Sequence, residues 1–537
     1  MPDKNPNLIP DDVQRLLGKD AQRNNILAAR MVAEIVKTTL GPKGMDKMLV
    51  SPTGDIIITN DGVTILEEMQ IEHPAAKMIV DIAKTQDSEV GDGTTTVAML
   101  AGKLLENAEK LLDKKIHPTA ITKGYQLAAE KCQFFLNQIA LKITPYDEEL
   151  LNQLAMTAMT GKSAESSKEK LAGIVVRAVK QIENDKKYDL NDIKIEKAKG
   201  NGVENTELIS GIVLDKEKVS QDMPSSVQDA RIALVDFPLE IKNPEIDTKI
   251  SISSPEQLQN FLDQEERAIK LIVSKIKASS ANVVFCQKGV DDFAQYLFAK
   301  EKIYVCRRVA RSDLEKISKA TGGKIVGSLG ELTANELGKA QLVEEISSGD
   351  GGVMTYIRGC LNPKALTILI RGSSDHLIDE IERAIKDGLG VVMSALKTGL
   401  VVAGGGAVEI ELSRRLRQFG QSLSGRERLA VEEFASALEF IPSTLAENAG
   451  LDPIDIITEI KARHDAGEVN AGLNLFTNKI ENVIEAKIIE PLKIKSQAIL
   501  SSTEVATMIL RIDDVIASNG KNKGMNFSGN ENYRGEF

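Results

Sequence analysis

The sequence predicts a multidomain chain of α and α/β parts, a mainly α-helical body interrupted by an α/β domain. Three observations predict it. At 537 residues the chain is too long for a single hydrophobic core. Its apolar pattern runs helical, then mixed, then helical. In the mixed stretch, from about 210 to 371, short strand-like runs alternate with helical segments, as they do in an α/β domain. Insertion of that domain into one helical body is the simplest reading, although two separate helical domains fit the composition too.

The elements follow in order. DAQRNNILAARMVAEIVKTTLG is helical, with Leu27, Ala28, Met31, Val32 and Ile35 spaced to form one buried face, and Gly41-Pro42 stops it. MLV and DIIIT flank SPTG as a hairpin closed by Asn60-Asp61-Gly62. HPAAKMIVDIAKTQ is a second helix that leads into GDGTTT at 91–96. Behind that motif Val97, Leu100, Ala101, Leu104, Leu105, Ala108, Leu111 and Leu112 form a continuous stripe, and further helices reach about 185. RIALVDF, NVVFCQ, KIYVCRRV and ALTILIRG are the strand-like runs of the middle domain. Helix returns at HLIDEIERAIKDGL and dominates to the glycine- and asparagine-rich end, which reads as a mobile tail.

One segment stands out, residues 242–276. Ser254, Pro255 and Gln257 form a capping box, and behind it come Leu258, Phe261, Leu262, Ile269, Ile272, Val273 and Ile276, with Glu265 and Glu266 between. By itself this reads as a surface helix with an interrupted core stripe; the sharper reading is a protruding element that meets a partner.

Composition narrows the function. Aromatics are 4% with no tryptophan, and the net charge is -11, which argues against nucleic-acid binding. No apolar run reaches the roughly 18–20 residues that span a bilayer, and the N-terminus carries no signal-peptide pattern. Cys132, Cys286, Cys306 and Cys360 lack metal-ligand spacing and suit a reducing, cytoplasmic setting. His73, His117, His376 and His464 are scattered, so zinc chemistry is not expected.

The chemistry points to GDGTTT. A helix N-terminus offers unpaired N–H groups and partial positive charge, glycines allow close approach, and threonines add donors. An aspartate beside phosphate is best explained by a shared Mg²⁺. A plain threonine N-cap is the competing reading. Three further stretches favour a nucleotide: LGPKG at 40–44, NDG at 60–62 with Asp61, and VVAGGGAVEIEL at 401–412. Gly161-Lys162-Ser163 resembles the end of a P-loop, but Met156 stands where its first glycine is required, and a helical pattern precedes it instead of a strand.

GPKGMDKML, NDGVTIL, HPAAKMIV, GDGTTT, VAGGGA and EPLKIKSQAILSSTEVATMILRIDDVI, in this order and nearly end to end, resemble the group II chaperonins, the archaeal thermosome and its eukaryotic relatives of the TCP-1 family. The resemblance implies the chaperonin fold. An equatorial ATP-binding and ring-contact domain would occupy 1–150 and 405–537, an intermediate hinge domain 151–215 and 372–404, and an apical substrate-binding domain 216–371. The built-in lid would lie at about 243–276, so no separate co-chaperonin lid is expected. Implied partners are unfolded or partly folded clients and identical or paralogous subunits in a double ring, with neither nucleic acid nor membrane.

The resemblance also implies roles, with ATP and Mg²⁺ as cofactors. Asp92 resembles the Mg²⁺ ligand, and Gly93, Thr94, Thr95 and Thr96 the phosphate cradle. Leu40, Gly41 and Gly405 would line the nucleotide, while Glu490 and Lys495 would face ribose and base. Gly161, Lys162 and Ser163 match the turn whose lysine senses the γ-phosphate. Asp61 and Asp387 match the carboxylates that orient and activate the attacking water. Gly388, GSSDH at 372–376 and AGLNLF at 471–476 depart from the family pattern. Client capture would use the helix ARSDLEKISKATGG, where Leu314 and Ile317 share a face; ordinary core is the equal alternative. Rival functions are a small-molecule phosphotransferase and an ATP-regulated assembly scaffold without folding activity.

Overall fold

The computed structural model describes residues 13–161, 167–183, 188–200, 202–240, 255–347, 351–361 and 363–518. The chain begins β1 (Val13–Leu17), α1 (Gly18–Lys37), β2 (Lys47–Val50), β3 (Ile56–Thr59), α2 (Gly62–Glu68), α3 (Pro74–Val90), α4 (Thr94–Asp113), α5 (Pro118–Ile139), β4 (Leu141–Lys142), α6 (Glu148–Met159) and α7 (Lys168–Gln181). The middle holds β5 (Ile193–Lys199), β6 (Glu207–Ile209), β7 (Gly211–Leu214), β8 (Ser226–Val235), α8 (Pro255–Ala278), β9 (Val283–Cys286), α9 (Asp292–Lys300), β10 (Tyr304–Cys306), α10 (Arg311–Thr321), β11 (Ile325–Val326), β12 (Gly338–Ser347), β13 (Val353–Arg358) and β14 (Leu366–Gly372). It ends with α11 (Asp375–Thr398), β15 (Leu400–Ala403), α12 (Ala407–Gln421), α13 (Arg426–Leu438), α14 (Phe440–Asn448), α15 (Pro453–Asp465), β16 (Ala471–Asn474), β17 (Lys479–Asn482), β18 (Ile489–Pro491), α16 (Leu492–Leu510) and β19 (Asp514–Ser518).

The two ends of the chain share one core. Ile26 and Val32 of α1, Leu100 and Leu104 of α4 and Tyr125 of α5 are buried with Leu412 of α12, Phe434 of α13 and Ile509 of α16. The helical portions are therefore one body interrupted in sequence. The α4 stripe packs as its periodicity requires, with Leu112 only partly buried at the rim. The α1 face differs from expectation. Ile26, Ala29, Val32, Ala33 and Val36 are buried, whereas Leu27 is 53% and Met31 60% exposed. The reason is backbone proximity: a Cβ on Gly102 of α4 would stand 2.4 Å from Ala33 Cβ, so α1 presents its small residues to α4 and turns the larger ones out.

A second core joins Leu151 and Leu154 of α6, Val175 and Val179 of α7, Ile368 and Ile370 of β14, and Ile381 and Ile385 of α11. ALTILIRG thus leaves the middle sheet. As β14 it pairs parallel with β5 and antiparallel with β6, forming a separate three-stranded sheet.

The middle domain is built on a seven-stranded sheet in the order β10-β9-β8-β12-β13-β7, with β11 beside β8. Leu314 and Ile317 of α10 are fully buried on one face of it. They are core, and the client-capture reading of these two side chains is corrected. The opposite face is covered by Ile269, Val273 and Ile276 of α8 and Phe298 of α9. The last turns of α8 are therefore anchored in the domain core. Ser254 and the rest of 241–254 lie outside the described residues, as does the expected tail at 519–537. Among the described residues no helix is long and apolar enough to cross a membrane.

Candidate functional site

A cavity of about 230 Å³ lies where α2, α4, α11, α12 and α16 converge. Leu40, Gly41, Asp61, Asp92, Gly93, Thr94, Thr95, Thr96, Asp387, Gly405, Glu490 and Lys495 all line it. Gly161 sits at its edge, where its carbonyl accepts a 2.9 Å hydrogen bond from Asn60 Nδ2. Lys162 and Ser163 lie outside the described residues. Helix α6 precedes this turn, so no P-loop strand exists here.

The motif at 91–96 explains its own composition. Gly91 ends α3 with φ +77°, and Gly93 starts α4 with φ +84°; both are left-handed conformations that glycine adopts at little cost. No side chain caps α4, which removes the plain threonine N-cap reading. Its first N–H groups and the helix dipole are thus available to an anion. Helix α12 also begins at this wall, at Gly406 with φ +78° and again without a side-chain cap. Asp92 Oδ1 accepts from Gly93 N at 2.6 Å. Asp61 caps α2 through Oδ2, accepting from Thr64 N at 3.1 Å and Thr64 Oγ1 at 2.6 Å, while Thr94 Oγ1 donates to its Oδ1 at 3.4 Å.

Carboxylates dominate the lining: Asp61, Asp87, Asp92, Asp387 and Glu490, with Lys495 the cation among the described residues. Lys495 is buried, and its Nζ lies 2.8 Å from Glu409 Oε1 and 2.7 Å from Glu490 Oε2. Burial alone would discharge the ammonium, but the two carboxylates outweigh it and raise its pKa. Burial pushes the Glu490 carboxyl up, with Lys495 opposing it. This wall is therefore a prearranged ion cluster and not a free cation waiting for phosphate.

The cavity offers what a metal–polyphosphate needs. Among the described residues no three acidic or imidazole groups assemble into a metal cage. A divalent ion at Asp92 would take its other ligands from phosphate and water, the usual arrangement for Mg²⁺. Two uncapped helix starts supply the positive field for the phosphates, and a metal would offset the excess of carboxylates.

Several lining residues escaped the sequence reading. Asn60 sits inside the quoted NDG beside Asp61 and could have been found there, whereas Asp87 falls between the quoted stretches, one turn before Gly91. The apolar wall of Ile441, Leu445, Leu473, Leu475 and Ile488, with Phe476, carries no polar signature. Glu409, behind Lys495, reads in sequence like any polar helix residue.

Comparison with known proteins gives a consistent picture. A model of the TCP-1/cpn60 chaperonin family matches residues 32–519. The chain is similar to a thermosome subunit of Methanopyrus kandleri, 54% identical over 515 residues, covering 95% of this chain and 94% of that one. It is similar to thermosome subunit beta of Archaeoglobus fulgidus, 55% identical over 520 residues, covering 96% and 95%. Among solved structures it resembles the open-state monomer of a group II chaperonin from Methanococcoides burtonii, with 46% identity, a TM-score of 0.59 and coverage of 79% of this chain and 100% of that one.

Proposed function

Since this chain belongs to the TCP-1/cpn60 chaperonin family and is a chaperonin subunit, we propose that its acid-lined cavity binds ATP with Mg²⁺ and hydrolyses it to drive closure around a non-native client. One observation carries this reading: the uncapped start of α4, with Asp92 beside it, lies in the same cavity as Asp61 and as Asp387, which arrives from about 300 residues further along the chain.

Asp92 holds the metal, Gly93 lets the phosphates approach the backbone closely, and Thr94 to Thr96 hold them through backbone N–H groups and hydroxyls. Leu40, Gly41 and Gly405 border the nucleoside, with Glu490 and Lys495 on the ribose and base side. When bound, Mg²⁺ neutralises phosphate charge and polarises the γ-phosphoryl group. Asp61 and Asp387 orient water, and the turn at Gly161, Lys162 and Ser163 reaches the γ-phosphate.

The division of labour follows from where these groups sit. Asp61 and Asp92 belong to an equatorial domain at 1–150 and 405–537. Asp387 and Lys162 belong to an intermediate domain, expected at 151–215 and 372–404 but gaining β14 and losing β7 by the strand pairing, so about 151–210 and 366–404. An apical domain, expected at 216–371 and correspondingly about 211–365, carries clients and a lid at about 243–276, of which Ile269 to Ile276 form the anchor in the domain core. Hydrolysis then requires the intermediate part to close on the base, which couples turnover to shape.

Ring contacts find support in the β2–β3 hairpin. Met48 and Val50 face Ile58 and Ile56 across it, and all four are at least 40% exposed. An exposed apolar two-stranded sheet is unstable in isolation and suits burial by identical or paralogous subunits of a double ring. Asp387→Ala tests the catalytic assignment. Nucleotide affinity should persist within about threefold while turnover falls about 100-fold or more. Undiminished hydrolysis would remove Asp387 from the reaction.

A further inference from the structure

We propose that Gln86 is a positioning residue that fixes Asp92 and the phosphate-binding loop, an inference that rests on the magnesium–ATP reading of the cavity. Gln86 lies in the last turns of α3 and is 0% exposed. Its Nε2 donates to the Asp92 carbonyl at 2.9 Å and to the Ile494 carbonyl at 3.4 Å. The first acceptor belongs to the residue offered to the metal. The second immediately precedes Lys495 of the ion cluster, at the start of α16. One amide therefore ties the loop carrying Asp92 to the first turn of α16.

Packing reinforces the tie. A Cβ on Gly93 would stand 2.8 Å from Ile494 Cγ2 and 3.0 Å from Gln86 Nε2, so the loop is seated directly on these two residues. With its carbonyl held by Gln86 and its Oδ1 held by Gly93 N at 2.6 Å, the Asp92 backbone and carboxylate are both fixed.

The choice of side chain is chemically specific. Both partners are carbonyl oxygens, so the site needs a donor. Lysine would add a charge that pairs with the cavity's carboxylates in place of the metal, and a carboxylate would repel both oxygens. A neutral amide donates twice without altering the charge of a cavity already crowded by Asp61, Asp87 and Asp92.

The test uses the full-length assembled protein carrying Gln86→Met, which keeps length and apolar volume but removes the donors. ADP affinity is measured by calorimetry with and without Mg²⁺, alongside hydrogen exchange of the 91–95 amides. The expected result is a loss of roughly three- to tenfold in affinity for the magnesium complex. Metal-free ADP, which uses the loosened loop but not Asp92, should lose clearly less than the magnesium complex, and exchange should quicken at 91–95. Equal losses with and without metal, or no loss at all, would overturn the inference. A parent chain that fails to bind magnesium–ADP would overturn the nucleotide reading and this inference with it. Should Gln86→Met not fold, Gln86→Asn, which keeps the amide but shortens its reach, serves instead. The same selective loss for magnesium–ADP is expected; parent-like affinity contradicts the positioning role.

Discussion

Replacing Gly390 by alanine probes how α11 carries Asp387 to the cavity. An ideal Cβ at Gly390 would stand 2.9 Å from Gly91 Cα and 2.9 Å from Val90 O, both backbone atoms that cannot swing aside. Carbon contacts relax only near roughly 3.5 Å, so the helix and the loop before Asp92 must separate by about half an ångström. Asp387 lies one turn earlier on the same helix and moves with it. Alanine in a helix interior gains about 1 kcal/mol over glycine, while overpacking costs about 1–3 kcal/mol. The subunit should therefore fold, with a net loss of at most about 2 kcal/mol. Since a 1 Å misplacement costs about 100-fold in rate, half that displacement should lower turnover roughly tenfold and leave nucleotide affinity nearly intact. The assay is phosphate release at saturating magnesium–ATP, with ADP affinity and thermal unfolding as controls. Gly388→Ala is the matched comparison. Its Cβ would meet Met159 Cε at 2.5 Å, the far end of a flexible side chain, so turnover should stay near the parent value. Parent-like turnover in Gly390→Ala, or a loss of affinity in place of turnover, refutes the reasoning.

Other expectations follow from the same structure. Leu314→Ala should destabilise the middle domain by about 2–5 kcal/mol in thermal unfolding yet leave client capture intact at permissive temperature, because the side chain is fully buried. Burial would raise the Glu411 carboxyl, but hydrogen bonds from His464, Arg414 and Arg415 prevail and hold its pKa at about 2, below the ordinary 4.5. A depressed pKa stabilises the folded state above the unfolded value, so this contribution is complete above about pH 4.5 and is lost as pH falls through about 2. Glu411→Gln should flatten acid unfolding in that window and cost about 3 kcal/mol or more at neutral pH, since His464, Arg414 and Arg415 lose their buried anion. Met48→Ser with Val50→Ser should leave the subunit folded but reduce ring assembly, read by native mass spectrometry; unchanged rings would exclude the hairpin from the contact.

Much of this was legible in the residues, for identifiable reasons. GDGTTT and NDG mark helix starts by glycine and acid side by side, and AGGGA by glycine alone, and such local signals survive folding unchanged. The α4 stripe was legible because a long buried helix leaves a strict period. The packed face of α1 was not, because close backbone approach at Gly102 selects Ala29 and Ala33 over the larger Leu27 and Met31. Strand β5, IKIEKAK, was hidden by its charges, and its pairing with β14 depends on contacts across more than 170 residues. Asp387 has no distinctive neighbourhood in sequence beyond the family resemblance. Its position in the cavity depends on α11 meeting Gly91, which no local pattern announces. Gln86 was overlooked because a buried amide in a helix looks like any polar residue until its two carbonyl partners are in place.

The most direct test of ATP-driven closure is imaging of the purified full-length protein without nucleotide and with magnesium–ADP plus an aluminium fluoride mimic of the transferring phosphoryl group. The expected images are double rings that close only in the second condition, with density for the trapped nucleotide between Gly93, Gly405 and Asp387 and for a metal at Asp92. Rings of one shape in both conditions, or nucleotide bound away from the start of α4, would contradict it.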